Sequence, residues 1–261
     1  IKKKRKGLKR ALLIISLMVL VGGGYFGFNI WYTAHRVLKG GANGALALQK
    51  NVDPVKLNGE GDGRVNILLL GKGGGDHPGA DLTDSIMIAS IDPISKEAAL
   101  LSIPRDLWVR VPNFWSMKIN AAYSSAKEKA YSINEKDDAA AEKAGIESME
   151  GIVKQVTGVP INYYVMIDFT AFKQTVDAVG GVTVNVPEPL YDYMQAWDNG
   201  NNPLIADAGV QQFNGKKALL YARSRYSSSD FARGERQRQI IVALQEKVLQ
   251  LGTFSNPVAV T

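Results

Sequence analysis

Apolar residues recur along the chain in short runs separated by glycine, proline and polar turns. Val65 to Leu70 is an apolar-rich run closed by Gly71, the pattern of a strand buried on both faces. DSIMIASI at 84–91 and EAALLSI at 97–103 repeat it, joined by the turn-like DPIS at 92–95. A charged, alanine-rich stretch around 125–157 reads as helix. INYYVMIDF is strand-like, TAFKQTVDAVGG reads as a helix closed by Gly180-Gly181, and VTVNVP alternates as a strand before Pro187 stops it. Strands interleaved with helices predict an α/β protein: a three-layer α/β/α sandwich around a central mixed sheet. The domain is expected over residues 64–253, with a tail at 254–261.

One apolar segment has a different length. Ala11 to Tyr32 runs for 22 residues without a charge. As a helix it spans about 33 Å, enough to cross a bilayer core. Trp31 and Tyr32 close it as an interfacial aromatic pair. The segment is expected to be one N-terminal transmembrane helix, over 11–32. A cleaved signal peptide is the alternative, but its apolar region is shorter and ends at a small-residue cleavage site. Residues 33–63, rich in glycine and punctuated by Pro54 and Asn58-Gly59, read as a juxtamembrane linker.

Charge sharpens this picture. The formal net charge is +6, and Lys2, Lys3, Lys4, Arg5, Lys6, Lys9 and Arg10 supply seven positives, leaving about −1 for everything else. The basic character belongs to the flank at 1–10, so it implies no nucleic-acid surface. By the positive-inside rule that flank stays in the cytoplasm and the domain lies outside. There is no cysteine, which excludes disulfides and thiolate chemistry.

The remaining arginines concentrate in YARSRYSSSDFARGERQRQ, at 221–239. With Asp230 as N-cap, a helix from Phe231 to about Leu251 places Arg233, Arg236 and Gln237 on one face with Ile240, Leu244 and Leu251. Glu235, Arg238, Gln239, Gln245 and Glu246 occupy the other. Two arginines on the apolar face point into a cavity, where an unpaired guanidinium is costly. Their partner is either a set of structural carboxylates, Asp230 among them, or a phosphate, which a helix N-terminus also favours. Arg223 and Arg225 can project to one side of an extended segment and add two phosphate-binding forks. On this reading four arginines outnumber the local acids.

Several motifs fail on context. GKGGGDHPG at 71–79 imitates a dinucleotide loop, but Pro78 and a second strand follow where a helix is needed. SSAK at 124–127 fits a penicillin-binding pattern without its Ser-Asp-Asn and Lys-Thr-Gly partners. The two histidines are His35, beside the apolar segment, and His77, which argues against a Ser-His-Asp triad or a histidine-rich zinc site. Asp81 and Asp84 stand at the mouth of a buried strand, as turn residues or as metal anchors. Arg105 follows a buried strand and Pro104, either to hold a rigid position at the sheet edge or to pair with Asp106.

NILLLG, LTDSIMIASIDP, LLSIPRDLWV, KINAAYS, VDAVGGVTVNVP, FNGKKALLYARSR and DFARGERQRQ, in this order behind one apolar segment, resemble the LytR-CpsA-Psr family of bacterial cell-envelope phosphotransferases. The resemblance covers roughly 64–251. It implies an α/β/α fold with a hydrophobic tunnel for a polyprenyl chain. It further implies transfer of a phosphoglycosyl unit from a polyprenyl-pyrophosphate-linked glycopolymer to a peptidoglycan hydroxyl, with Mg²⁺ assisting, at the outer face of the cytoplasmic membrane. By motif, Asp84 resembles the metal-side aspartate, Arg105 the arginine of IPRD, and Arg223 and Arg225 the RSR pair. Arg233, Arg236 and Gln237 resemble the pyrophosphate-gripping group, so the catalytic set implied is Asp84, Arg105 and Arg225. Val165, Ile167, Phe169 and Phe172 are candidates for the lipid slot, although such residues also build plain core. Two positions depart from the family pattern: Gly73 stands where an aspartate is usual, and Leu82 where an arginine often precedes Thr-Asp. The first metal carboxylate then falls to Asp76 or Asp81, or is missing. A non-catalytic polyprenyl-pyrophosphate sensor or scaffold is the alternative that this departure leaves open.

Overall fold

A computed structural model describes residues 64–75, 79–92, 95, 97–133, 137–225 and 229–250. The apolar segment at 11–32, the linker, the tail and Asp76 lie outside the described residues. Among the described residues no helix is long and apolar enough to cross a membrane.

The central sheet holds four strands in the order β3-β2-β1-β6, where β1 is Val65–Lys72, β2 Thr83–Ile91, β3 Ala98–Ser102 and β6 Tyr163–Ile167. β1 pairs antiparallel with β2 and parallel with β6, so the sheet is mixed as expected. Side-chain alternation assigns its two faces. Leu68, Leu70, Ile86 and Ile88 enter one core, and Tyr164 and Met166 pack against it. Leu69, Ser85, Met87, Val165 and Ile167 line a cavity. The first four are at most 2% exposed, each contributing about 1.5–3 kcal/mol of burial.

Between β3 and β6 lie a small hairpin, β4 (Trp108–Arg110) and β5 (Ser116–Lys118), and two helices, α1 (Ala122–Ile133) and α2 (Asp138–Thr157). The helices cover the core face with Tyr123, Ile146, Met149 and Ile152. The stretch read as one helix around 125–157 is therefore two. Asp137 explains the restart, since its carboxylate accepts from the N–H groups of Ala139 and Ala140 at 2.9 and 3.2 Å, and such a side chain favours a cap over a helix interior.

Beyond β6 the chain builds a second core from α3 (Phe169–Ala178), β7 (Val182–Val186), β8 (Leu190–Tyr191), β9 (Leu204–Ala206), β10 (Gly209–Phe213), α4 (Gly215–Arg223) and α5 (Asp230–Gln250). β7 alternates buried and exposed, as its sequence predicts, and buries Val182, Val184 and Val186 with Phe213, Tyr221 and Ile240. α3 ends where Gly180 and Gly181 take φ of 79° and 84°, a left-handed pair that glycine enters without strain.

Candidate functional site

The cavity between the sheet and the second core has a volume of about 1000 Å³. Its apolar wall is local in origin. Val165 and Ile167 are the cavity-facing half of β6, and Phe169 and Phe172 follow on the first turn of α3. Asp168 starts that helix by accepting from the Ala171 N–H at 2.7 Å. All four candidate lipid residues share this cavity with Arg223, Arg225, Arg233, Gln237 and Asp84.

The arginines arrive by different routes. Arg223 is the last residue of α4, not part of an extended segment as the sequence reading had it. Its guanidinium lies 4.3 Å from the centroid of the Phe169 ring and 3.6 Å from Asp198, so this aromatic carries a cation on its face. Arg225 is exposed, and among the described residues its side chain has no ion pair within 4.0 Å. Its backbone N–H donates to Asp192 at 3.0 Å.

Asp192, on the cavity wall, is a residue that sequence reasoning did not single out. It is 2% exposed, and it also accepts from Ser224 Oγ at 2.9 Å, Gln195 Nε2 at 3.0 Å, and the N–H groups of Met194 and Gln195 at 2.9 and 3.1 Å. Burial works to raise its carboxyl, but these hydrogen bonds outweigh it and hold the group below its ordinary value. A lone acid inside PLYDYMQAW carries no periodic signal of such a role.

On α5, Arg233 and Arg236 are 5% and 8% exposed, on the inward face that the helical spacing predicts. The cap differs: Ser229 Oγ accepts from the Ala232 N–H at 3.2 Å, while Asp230 lies in the first turn and pairs with Arg233 at 2.6 Å. Arg233 donates to the Asp84 carbonyl at 3.1 Å, and Gln237 Oε1 accepts from Ser85 Oγ at 3.0 Å, tying α5 to β2. Burial lowers the Arg233 pKa; Asp230 opposes the shift, and Arg105 and Arg225 add to it. Arg236 is not on the cavity wall. Its guanidinium donates to the carbonyls of Tyr221 (3.1 Å) and Ser224, gripping the chain just before Arg225.

Arg105 is positioned after β3 as expected, but it does not line the cavity. It donates to Asp84 Oδ1 at 2.8 Å, with Asp106 at 3.5 Å and Asp230 at 3.8 Å from its Nε. Both readings of Arg105 therefore hold, with Asp84 the closer partner. Asn120 Nδ2 donates to the same Asp84 oxygen at 3.0 Å. The expectation that cations outnumber acids fails. Among the described residues four cations line the cavity, Lys72, Arg223, Arg225 and Arg233, against six aspartates, at 84, 106, 168, 192, 198 and 230. Asp168 starts a helix, Asp192 sits among five donors, and the other four are ion-paired, Asp84 with Arg105, Asp106 with Lys118, Asp198 with Arg223 and Asp230 with Arg233.

For a metal, the described residues offer no cluster of three or more His, Cys, Asp or Glu side chains. Asp81 is committed to Lys72 at 2.5 Å and Lys127 at 2.7 Å. Burial would raise its carboxyl, yet the two lysines hold it below the usual value. Asp84 lines the cavity and accepts from both Arg105 and Asn120 at the same oxygen, Oδ1.

The family model for the LytR_cpsA_psr family matches residues 33–258. The chain belongs to that family. This LytR-CpsA-Psr protein is 30% identical over 257 residues to the polyisoprenyl-teichoic acid–peptidoglycan teichoic acid transferase TagV of Bacillus subtilis, covering 94% of this chain and 59% of TagV. It is 35% identical over 193 residues to the probable cell wall biosynthesis protein LcpB of Corynebacterium glutamicum, covering 74% of this chain and 40% of LcpB. The chain thus spans about half the length of these curated relatives. Among solved structures, TagT bound to LI-WTA superimposes with a TM-score of 0.57 at 26% identity, covering 79% of this chain and 71% of TagT.

Proposed function

We propose that this protein is a membrane-anchored cell-envelope phosphotransferase. It takes a polyprenyl-pyrophosphate-linked glycopolymer and transfers the phosphoglycosyl unit to a peptidoglycan hydroxyl; with water as acceptor it hydrolyses the pyrophosphate. One observation carries the reading: a single cavity joins an apolar wall, Val165 to Phe172, to Arg223, Arg225 and Arg233. That is the chemistry of a ligand with a hydrocarbon tail and a diphosphate head. The name of TagV supports the reaction class.

In the reaction the acceptor oxygen forms a bond to the sugar-linked phosphorus while the bridging P–O bond breaks. Its electron pair leaves with the polyprenyl phosphate, and the hydroxyl proton goes to solvent. Negative charge builds on the departing phosphate, where fixed guanidinium groups stabilise it without rearranging. Arg225 and Arg233 hold the diphosphate, Arg223 with its Phe169 stack marks the junction of head and tail, and Gln237 fixes the α5 side of the wall. Arg105 acts through Asp84, which it orients. A magnesium ion fits here as one held chiefly by substrate phosphates with Asp84 as its protein ligand, since Mg²⁺ commonly uses one or two carboxylates. When bound, it neutralises part of the phosphate charge beside an acid-rich wall. We place the domain on the outer side of the cytoplasmic membrane, anchored by the apolar segment at 11–32.

The six aspartates and Gly73 favour one rival, a non-catalytic lipid-pyrophosphate sensor. Incubating the full chain with a polyprenyl-pyrophosphate-linked sugar and Mg²⁺ separates the two. Release of polyprenyl monophosphate, lost in Arg225→Ala, supports the transferase; tight binding without turnover under any divalent ion supports the sensor.

A further inference from the structure

The turn between β8 and β9 is built inside out. A turn on a water-soluble surface ordinarily gives its polar side chains to solvent and its large apolar ones to the core. Here Asp192 and Gln195 are 2% and 9% exposed, while Tyr193, Met194 and Trp197 are 59%, 73% and 72% exposed. The inward polar groups fix the backbone. Asp192 accepts from the N–H groups of Met194 and Gln195, and Gln195 Nε2 donates to the Leu220 carbonyl at 3.3 Å. Asn199 Nδ2 donates to the carbonyls of Asn202 and Leu204, each at 2.9 Å. Three large side chains are thereby held outward on a bonded frame, which marks a contact surface rather than scattered exposure.

The position of the turn names the partner. Met194 and Trp197 also line the large cavity. Of the exposed tryptophans among the described residues, at 108, 115 and 197, Trp197 is the one on that lining. Arg223 joins the turn to the apolar wall, since its guanidinium lies 4.3 Å from the Phe169 ring centroid and 3.6 Å from Asp198, the neighbour of Trp197. The exposed side chains are therefore continuous with the cavity of Val165, Ile167, Phe169 and Phe172. Tyrosine and tryptophan combine an apolar body with a polar tip and settle at the headgroup level of a bilayer. No lysine or arginine occurs between residues 191 and 202, so the attraction is apolar and needs no anionic lipid.

We propose that this turn is a membrane-docking element, which seats Tyr193, Met194 and Trp197 at the bilayer interface so that the large cavity opens onto the membrane. The inference rests on the reading of that cavity as the site of a polyprenyl tail. Such a tail lies in the bilayer, and carrying it through water exposes its apolar surface. A cavity whose apolar rim rests on the membrane lets the tail pass between two apolar surroundings without that exposure. A second copy seated on the same side chains would cover the opening instead.

The test reads Trp197 alone. The full chain with Trp31→Phe, Trp108→Phe and Trp115→Phe is reconstituted into phosphatidylcholine vesicles with and without acyl-chain bromine, and thermal unfolding identifies folded protein. An element seated about 5–10 Å into the headgroup boundary brings the ring within reach of bromine, so emission is expected to fall roughly twofold or more. Adding Tyr193→Asp and Met194→Asp, or Met194→Asp alone where the pair unfolds, is expected to abolish the fall. A chain held near the vesicle only by its N-terminal segment keeps it. Unchanged emission, or quenching that survives the aspartates, overturns docking. Shielding of Trp197 from acrylamide that grows with protein density, without bromine quenching, identifies a second copy and overturns it too. Donor turnover on the same vesicles separates the two readings: quenching without turnover removes the transferase and leaves docking, and turnover without quenching removes docking alone.

Discussion

Arg225 and Arg236 belong to neighbouring motifs but have different surroundings, Arg225 exposed on the cavity wall and Arg236 buried against two carbonyls. Arg236→Met keeps the aliphatic stem and removes the donors to the Tyr221 and Ser224 carbonyls. Those residues are 1% and 0% exposed, so water cannot replace the lost partner. Each orphaned acceptor costs about 1–3 kcal/mol, for a loss of about 2–6 kcal/mol. At about 2–4 °C per kcal/mol in a domain of this size, Tm falls by roughly 4–24 °C. Removing a buried guanidinium also relieves its desolvation, which sets the lower end of the range. Arg225→Ala does the reverse. An exposed side chain with no ion pair among the described residues leaves stability within about 0.5 kcal/mol, while loss of a transition-state contact lowers turnover on the order of 10²–10³-fold. The assay pairs thermal unfolding with polyprenyl monophosphate release. An Arg236→Met protein that melts with the wild type yet has lost turnover refutes the division, because Arg236 would then be a substrate ligand.

Three further outcomes follow from the same geometry. Phe172→Trp, which narrows the apolar wall, is expected to raise KM for a long-chain polyprenyl donor much more than for a short-chain analogue, read from steady-state kinetics with both. Asp84→Asn leaves the partners of Arg105 and Asn120 in place but weakens cation binding, so the Mg²⁺ concentration giving half-maximal turnover rises; an unchanged titration curve removes Asp84 as the ligand. Asp192 is held below its ordinary carboxyl value, so its stabilising effect is fully present above about pH 4 and is lost as pH falls through the depressed value. Asp192→Asn is accordingly less stable than wild type at neutral pH, and the difference shrinks in acid unfolding curves.

Short apolar runs located the central sheet, because β1, β2 and β6 put alternate residues into a dry core and the others onto the cavity wall, so both faces call for apolar side chains. The inward face of α5 was legible from its helical spacing, since Arg233 and Arg236 share spacing with Ile240. The small hairpins β4–β5 and β8–β9 were not, for strands of two or three residues carry too little pattern. Neither was the break at Asp137, where capping decides between two helix formers. Residue type and motif order singled out Asp84, Arg223, Arg225 and Arg233, which share one cavity, and Arg105, which stands behind Asp84 outside it, but not how these groups are paired. Whether a guanidinium faces a cavity or a carbonyl depends on tertiary neighbours, as Arg236 demonstrates. The acid excess had the same origin, because Asp106 and the turn carrying Asp192 and Asp198 reach the cavity from segments that no local pattern connects.

The central claim is that the large cavity holds the tail and head of one lipid diphosphate. A crystal structure of the chain with a polyprenyl pyrophosphate tests it most directly. The account predicts the diphosphate against Arg225 and Arg233, with the first isoprene units along Val165, Ile167, Phe169 and Phe172. A diphosphate bound away from these arginines, or a tail outside that wall, contradicts it.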